Sequence, residues 1–223
     1  MTTPTGRRTR RVFYLHGFAS SPKSTKAGFF SDRLQAHAVP VVCPDFNQPD
    51  FASLTMTRML DQLEAAVGDA DGEPVTLMGS SLGATLAILA AARMASRVDR
   101  LVLMAPAVMF AKPGHHLLPP ERIESWRRDG AMPFFHYGAN EEQRLNYAFY
   151  EDSLRYDAFT AAFAQPTLIF QGLRDASVDP RTVEGFAGTR SGVRLTLLDD
   201  DHQMIASLPR MWNDVAAFLE LTE

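Results

Sequence analysis

A serine with a glycine two positions away on each side is the group in this chain best suited to covalent chemistry. Gly79, Ser81 and Gly83 match the pattern G-x-S-x-G. A serine hydroxyl is a weak nucleophile, and a sharp strand-to-helix turn presents it to both a base and a substrate. Ser80 lies next to it but lacks the glycine spacing. The pattern predicts Ser81 as a nucleophile; a glycine-serine turn without chemistry is the alternative.

The segments around Ser81 support the chemical interpretation. Residues 74–78 are mostly apolar and predict a strand, whereas residues 84–95 are rich in Ala, Leu and Ile and predict a helix buried on most sides. This is the strand-turn-helix context that the pattern requires. The backbone N–H of Leu82 then points toward the place where an oxyanion would form, and the helix dipole adds to that field.

An acid and a base follow Ser81 in the order serine, aspartate, histidine that α/β hydrolases use. Asp175 lies in the loop after a predicted strand at 167–171, and the acidic run ending in His202 follows the last predicted strand. The alternatives are that Asp175 only caps a turn, and that the run before His202 is a solvated loop or a metal site. Asp179 is the better helix cap. Three consecutive carboxylates cannot all face one ion, so we expect no metal.

A second oxyanion donor is expected in the loop after the first strand. His16 and Gly17 directly follow the apolar residues 12–15, and a His-Gly pair at this place is a common way to build the oxyanion site. We predict the backbone N–H of Phe18 as the donor and a structural role for His16.

The whole chain alternates short apolar runs with helical-period segments, which is typical of a parallel sheet wrapped by helices. We predict the fold class α/β: an α/β-hydrolase fold with a mostly parallel central sheet flanked by helices, in a single domain over residues 1–223. Residues 106–165 predict a partly helical cap insertion. The predicted strands are 12–15, 39–43, 74–78, 100–105, 167–171 and 194–198, and the helices are 23–36, 54–67, 84–95, 180–186 and 206–221.

Composition narrows the function classes. The chain has 223 residues, 46% of them hydrophobic and 22% charged, with a net charge of -4, so we expect a globular protein that does not bind nucleic acid. The single cysteine, Cys43, suits a reducing compartment and predicts a cytoplasmic protein. The basic stretch 7–11 precedes only four apolar residues, too few for a signal peptide or for a membrane span, which needs about 20.

Five phenylalanine and tryptophan residues and one methionine, in and before the insertion, predict an apolar acyl pocket, because binding sites are mostly apolar with few polar groups. Ordinary core packing is the alternative for each of them. We expect a small-molecule ester with a short or medium acyl chain on an uncharged alcohol. Lys23 and Lys26 could meet a phosphorylated carrier, but the simpler interpretation places both on a solvated helix face. The pocket candidates are Phe18, Met109, Phe110, Trp126, Phe134 and Phe135.

The segment Tyr14–Ala27, together with the turn around Ser81, resembles the small bacterial esterases of the YqiA/YcfP-like type. The segments around Asp175 and His202 fit the wider α/β-hydrolase superfamily. The resemblance implies a triad of Ser81, Asp175 and His202 and a carboxylester hydrolase activity. The acyl-enzyme mechanism of such a triad requires no cofactor. An acyl-thioesterase or a small peptidase would use the same triad. A binding protein that retains the fold without catalysis is the alternative from a different class; it would be expected to have a damaged triad.

Overall fold

The computed structural model describes residues 11–70, 72–112, 115 and 118–221. Residues 7–10 of the basic stretch lie outside the described residues. In chain order the strands are β1 (Arg11–Leu15), β2 (Val41–Val42), β3 (Val75–Ser80), β4 (Val98–Met104), β5 (Ala131–His136), β6 (Glu141–Asn146), β7 (Thr167–Gly172) and β8 (Val193–Leu198). The helices are α1 (Thr25–Ala36), α2 (Met56–Gly68), α3 (Leu82–Arg93), α4 (Pro120–Asp129), α5 (Ala148–Ser153), α6 (Pro180–Gly188) and α7 (Leu208–Phe218).

Six strands form one sheet in the order β2-β1-β3-β4-β7-β8, and every neighbouring pair is parallel. The predicted parallel sheet is therefore confirmed. The loops after β1, β3, β7 and β8 begin at the same edge of the sheet, because the carboxyl ends of parallel strands share an edge. These are the loops that carry Phe18, Ser81, Asp175 and His202.

Each face of the sheet is covered by its own apolar layer. Along β1, Phe13 and Leu15 pack into the layer that contains α2 and α3, whereas Val12 and Tyr14 pack into the layer that contains α1 and α7. This division follows from the alternation of side chains along a strand. Both faces are buried, which explains why the strand sequences are continuous apolar runs.

Most boundaries differ from the predicted ones by a few residues, and three of the differences have a clear structural reason. β2 has only two residues, whereas a strand over 39–43 was predicted, because its pairing with β1 is confined to Val41 and Val42. α3 begins at Leu82, two residues earlier than predicted, directly after Ser81. α7 begins at Leu208, where Pro209 provides a favourable first turn. Of the helices in the described ranges, none has the length and apolarity to cross a membrane.

The described part of the segment predicted as a partly helical insertion contains two helices, α4 and α5. It also contains an antiparallel hairpin of β5 and β6, which sequence reasoning did not predict. Trp126 of α4 is buried and donates a hydrogen bond from Nε1 to the carbonyl oxygen of Leu145 on β6 at 2.8 Å. This bond fastens the hairpin to α4.

Two glycines let the turn around Ser81 pack backbone against backbone. A Cβ atom on Gly79 would lie 2.4 Å from the carbonyl oxygen of Gly83. A Cβ atom on Gly83 would lie 2.0 Å from the carbonyl oxygen of Leu15, at the end of β1. The glycines of the motif are therefore required by the close approach of β1, β3 and the first turn of α3.

We predict that Gly83→Ala destabilises the protein by about 3 kcal/mol, because the added methyl group collides with backbone that cannot move without shifting β1. Gly185→Ala is the matched control, since a Cβ atom there meets nothing within 4 Å inside α6. It should stabilise the protein by about 0.5–1 kcal/mol. Urea unfolding of both variants measures the difference; equal effects would contradict the packing argument.

Candidate active site

Ser81 lies between β3 and α3 with backbone angles that few residues adopt. Its φ is 53° and its ψ is -116°, in a region that carries strain for any residue other than glycine. The Ser81 N–H donates to the carbonyl oxygen of Met104 at 2.8 Å, which anchors the turn to β4. Strain of this kind persists where the surrounding structure enforces it, and it occurs often at active sites.

Asp175 and His202 form a hydrogen-bonded pair across the ends of β7 and β8. The distance between His202 Nδ1 and Asp175 Oδ2 is 2.8 Å. The Asp175 side chain is fully buried, and that of His202 is 20% exposed. An ionised carboxylate only accepts hydrogen bonds, so Nδ1 is the donor and Nε2 is left free to act as a base.

Other groups fix the Asp175 carboxylate and keep it charged. Its Oδ1 accepts from the backbone N–H groups of Ser177 and Val178, each at 2.8 Å, and Oδ2 also accepts from Gln171 Nε2 at 3.0 Å. Burial by itself would raise the pKa of the Asp175 carboxyl, but the hydrogen bonds from His202, Val178 and Ser177 outweigh it, so the pKa lies below its ordinary value. Asp175 is therefore an anion throughout the neutral range.

The acidic run before His202 does not gather around one point. Asp199 pairs with Arg174, and Asp200 accepts from the N–H and hydroxyl of Ser207. Asp201 Oδ1 accepts from the N–H groups of Gln203 and Met204. The carboxylates point to separate partners and shape the loop, an arrangement unlike a metal site.

The loop after β1 is held by His16. The N–H of Phe46 donates to His16 Nε2 at 3.2 Å, and a backbone N–H can only donate. His16 Nδ1 therefore carries the hydrogen, which it donates to the carbonyl oxygen of Gly17 at 2.9 Å. Burial lowers the pKa of His16, which keeps the ring neutral. This geometry supports the structural role predicted for His16 and orients the loop that carries Phe18.

One cavity of about 820 Å³ brings the predicted residues together. Ser81, Leu82, Phe18 and His202 all line it. Asp175 lies behind His202. The two predicted oxyanion donors, the N–H groups of Leu82 and Phe18, belong to residues that both line this cavity. A Cβ atom on Gly17 would lie 3.5 Å from Ser81 Cβ, so the loop after β1 passes close to the serine.

A small apolar pocket of about 50 Å³ adjoins this cavity through Phe18 and Phe110, which line both. Trp126 and Phe134, also predicted for the acyl pocket, line it as well. Two predicted pocket residues lie elsewhere. Phe135 is 45% exposed, because it follows Phe134 on β5 and therefore points to the opposite face. Met109 lines a separate cavity that borders Asp175.

The expectation that Lys26 lies on a solvated helix face is wrong, whereas Lys23 is exposed. Lys26 is 7% exposed and lines the large cavity. Its position four residues before Phe30 and eight before Leu34 places it on the buried face of α1, and this spacing could have revealed it from the sequence. Sequence reasoning also missed Gln171, whose side chain holds Asp175.

Comparisons with known proteins agree with this architecture. The model of the Uncharacterised protein family (UPF0227), to which the YqiA/YcfP type belongs, matches residues 11–220. A search of curated protein sequences gives no significant match.

Three solved structures illustrate the fold. Alpha/beta hydrolase domain-containing protein 10 from mouse has a TM-score of 0.80 at 19% identity, over 96% of this chain and 90% of that one. Est1E from Butyrivibrio proteoclasticus, solved with ferulic acid bound, has a TM-score of 0.80 at 19% identity, over 95% and 89%. A monoacylglycerol lipase from Paleococcus ferrophilus has a TM-score of 0.75 at 13% identity, over 94% and 93%. The chain therefore has the α/β-hydrolase fold and belongs to the UPF0227 family.

Proposed function

We propose that this protein is a serine hydrolase that cleaves small carboxylic esters through an acyl-enzyme intermediate. Ser81 is the nucleophile, His202 the general base and Asp175 the acid of the triad. The observation that carries the proposal is the hydrogen bond between Asp175 and His202, formed beside the strained turn that presents Ser81 to the same cavity. The fold supports it, since one of the structures that share it is named a monoacylglycerol lipase.

In the first half of the reaction, Ser81 Oγ bonds to the ester carbonyl carbon while its proton passes to His202 Nε2. The carbonyl electron pair moves to oxygen, and the N–H groups of Leu82 and Phe18 stabilise the oxyanion. As the carbonyl re-forms, the bond to the alcohol breaks and the alcohol leaves with the proton from His202. The carboxylate of Asp175 holds the imidazole and stabilises its charged form.

In the second half, a water molecule gives a proton to His202 and bonds to the acyl carbon. The bond to Ser81 then breaks, its oxygen recovers the proton, and the carboxylic acid departs. The sum of the two halves is ester plus water giving acid plus alcohol. The proposal includes a hydrogen bond from Ser81 Oγ to His202 Nε2. Catalytic hydrogen bonds of this kind often become short only when substrate is bound.

Three other functions compete with this one. An acyl-thioesterase or a small peptidase would use the same residues, and the relative rates on thioester, amide and ester substrates separate them. A binding protein would retain the fold without catalysis, but the intact Asp175–His202 pair and the strained Ser81 favour an enzyme.

Ser81→Ala should lower kcat/KM on 4-nitrophenyl esters, from acetate to dodecanoate, by about three or more orders of magnitude, because the attacking oxygen is removed. Ser80→Ala is the matched control. Ser80 is a neighbouring serine that also lines the cavity, but its hydroxyl is not at the turn. We expect Ser80→Ala to stay within about tenfold of the wild type. Loss of activity in Ser80→Ala alone would reverse the assignment, and an inactive wild type would favour a binding protein.

Phe134→Ala should shift the preferred acyl chain to a longer one, because it enlarges an apolar pocket that holds little more than a few carbon atoms. The ratio of kcat/KM on octanoate to that on butyrate should rise by about tenfold or more. Phe135→Ala, at the exposed neighbouring position, is the control and should leave this ratio unchanged. A change of equal size in both variants would exclude this pocket as the acyl site.

Asp175→Asn should be less stable than the wild type at neutral pH, by a margin that depends on pH. The pKa of Asp175 is lower in the folded protein than its ordinary value of 3.8. Its charge therefore adds stability above that value, and this contribution is lost as the pH falls through the lower folded pKa. Urea unfolding of both proteins between pH 3 and pH 7 measures the margin. If the difference in free energy of unfolding between the two proteins does not change with pH, the charge of Asp175 does not stabilise the folded protein.

A further inference from the structure

Lys26 is a buried cation in the wall of the cavity. It is 7% exposed, and its Nζ donates to the carbonyl oxygen of Gln203, next to His202, at 3.0 Å. Burial lowers its pKa to about 8, while the nearby carboxylates of Asp175, Asp201 and Asp200 act in the opposite direction. Lys26 is therefore mostly charged at neutral pH, and the bond to Gln203 uses one of its three donors.

The charged side chains that line this side of the cavity are positive. Among the described residues that line the cavity, apart from His202, the charged side chains are Lys23 and Lys26, and no carboxylate lines it. Asp175, Asp200 and Asp201 do not line it, and their carboxylates accept the hydrogen bonds described above. The cavity therefore presents two cations, together with serine hydroxyls, to whatever occupies it.

A second buried group on the same side has no partner. Tyr14 lines the cavity and is 1% exposed, yet its hydroxyl forms no hydrogen bond among the described residues. The hydroxyls of Ser24 and Ser80 are close to it but do not reach hydrogen-bond geometry. A buried hydroxyl without a partner is costly, which points to an acceptor supplied by a ligand.

The start of α1 completes this side of the cavity. Ser24 caps the helix, and Ser24, Thr25 and Lys26 all line the cavity. The first N–H groups of a helix have no partner within it, and the positive end of the helix dipole favours an anion.

We propose that Lys26, Tyr14 and the first turn of α1 form a subsite for an anionic oxygen group, a carboxylate or a phosphate, of the ester substrate. The proposal rests on the proposed function and narrows its substrate class to esters with a negative charge. Lys26 donates charge-assisted hydrogen bonds to the anion, and Tyr14 donates from its unpartnered hydroxyl. The apolar pocket beyond Phe18 and Phe110 takes the uncharged end.

Lys26 could instead only position the loop of His202, through its bond to Gln203. Such a role predicts that removing the lysine slows all esters equally. An anion subsite predicts a selective loss for charged ligands. A ratio of rates on charged and neutral esters, together with a measurement of anion binding, therefore distinguishes the two roles.

The first experiment measures competitive inhibition of 4-nitrophenyl butyrate hydrolysis by inorganic phosphate and by acetate at pH 7 and constant ionic strength. Lys26→Met should raise the inhibition constant of the better anion at least about tenfold, the loss expected for one charge-assisted hydrogen bond. Lys26→Arg should retain most of the inhibition. Arg33→Met, which removes an exposed cation from the last turn of the same helix, is the control. The anions should inhibit it with the same inhibition constants as the wild type.

The second experiment compares two butyrate esters, those of 4-methylphenol and of 4-hydroxybenzoate, which have the same acyl chain and differ in a carboxylate on the alcohol side. Lys26→Met should lower the ratio of kcat/KM, charged over neutral, by about tenfold, and Lys26→Arg should restore it. The proposal is overturned if Lys26→Met leaves both the inhibition constants and this ratio unchanged, or if neither anion inhibits the wild type.

Binding to Ser81→Ala separates this proposal from the proposed function. Phosphate and acetate should raise the Tm of Ser81→Ala, and the added substitution Lys26→Met should remove the rise. If the wild type hydrolyses no ester but this rise is observed, the hydrolase proposal fails and the anion site stands. If Ser81-dependent hydrolysis is observed without any rise, the anion site fails alone.

Discussion

The contact between the carbonyl oxygen of Leu15 and the first turn of α3 is the constraint on which the site depends. It leaves no room for a side chain at Gly83. The carbonyl oxygen of Gly83 in turn leaves no room for a side chain at Gly79. With these backbones in contact, the chain at Ser81 has to turn through a positive φ. The same contact brings the loop after β1 against the serine. One close approach of three backbones thus positions both the proposed nucleophile and the proposed oxyanion donors.

A second close approach serves the other half of the site. A Cβ atom on Gly172, at the end of β7, would lie 2.5 Å from the carbonyl oxygen of Asp201. The loops after β7 and β8 can therefore run side by side, and the distance between Asp175 and His202 becomes that of a hydrogen bond. Gln171 and the backbone N–H groups of the turn then fix the carboxylate. The parallel sheet supplies the common edge, and glycines allow the loops at that edge to touch.

The sequence was sufficient to predict the sheet and most helices, because these depend on local patterns. The same patterns point to the proposed site, since Ser81 is marked by its glycines and Asp175 and His202 by their places after apolar strands. The hairpin of β5 and β6 was missed because it depends on packing against α4 through Trp126. Phe135 was placed in the pocket because a run of aromatics does not show which face of a strand each one occupies.

The prediction that Lys26 is exposed was wrong, although its spacing with Phe30 and Leu34 indicates the buried face of α1. It followed the general rule that lysines are exposed and disregarded this periodicity. A buried lysine is stable only where nearby acceptors and charges compensate for lost hydration. Here the acceptor and the carboxylates come from the loops after β7 and β8, far away in the sequence. Such compensation is a property of the folded protein, so a single sequence does not reveal it.

The location of Trp126 has an optical consequence. The chain has two tryptophans, and they occupy different surroundings. Trp126 borders the apolar pocket and contacts Phe134, whereas Trp212 lies on α7 beside His37 and Arg33. Filling of the pocket would change the polarity around the first indole and leave the second as it was. The protein therefore carries an intrinsic fluorophore at its proposed acyl site and a second one, on the other layer, as an internal reference.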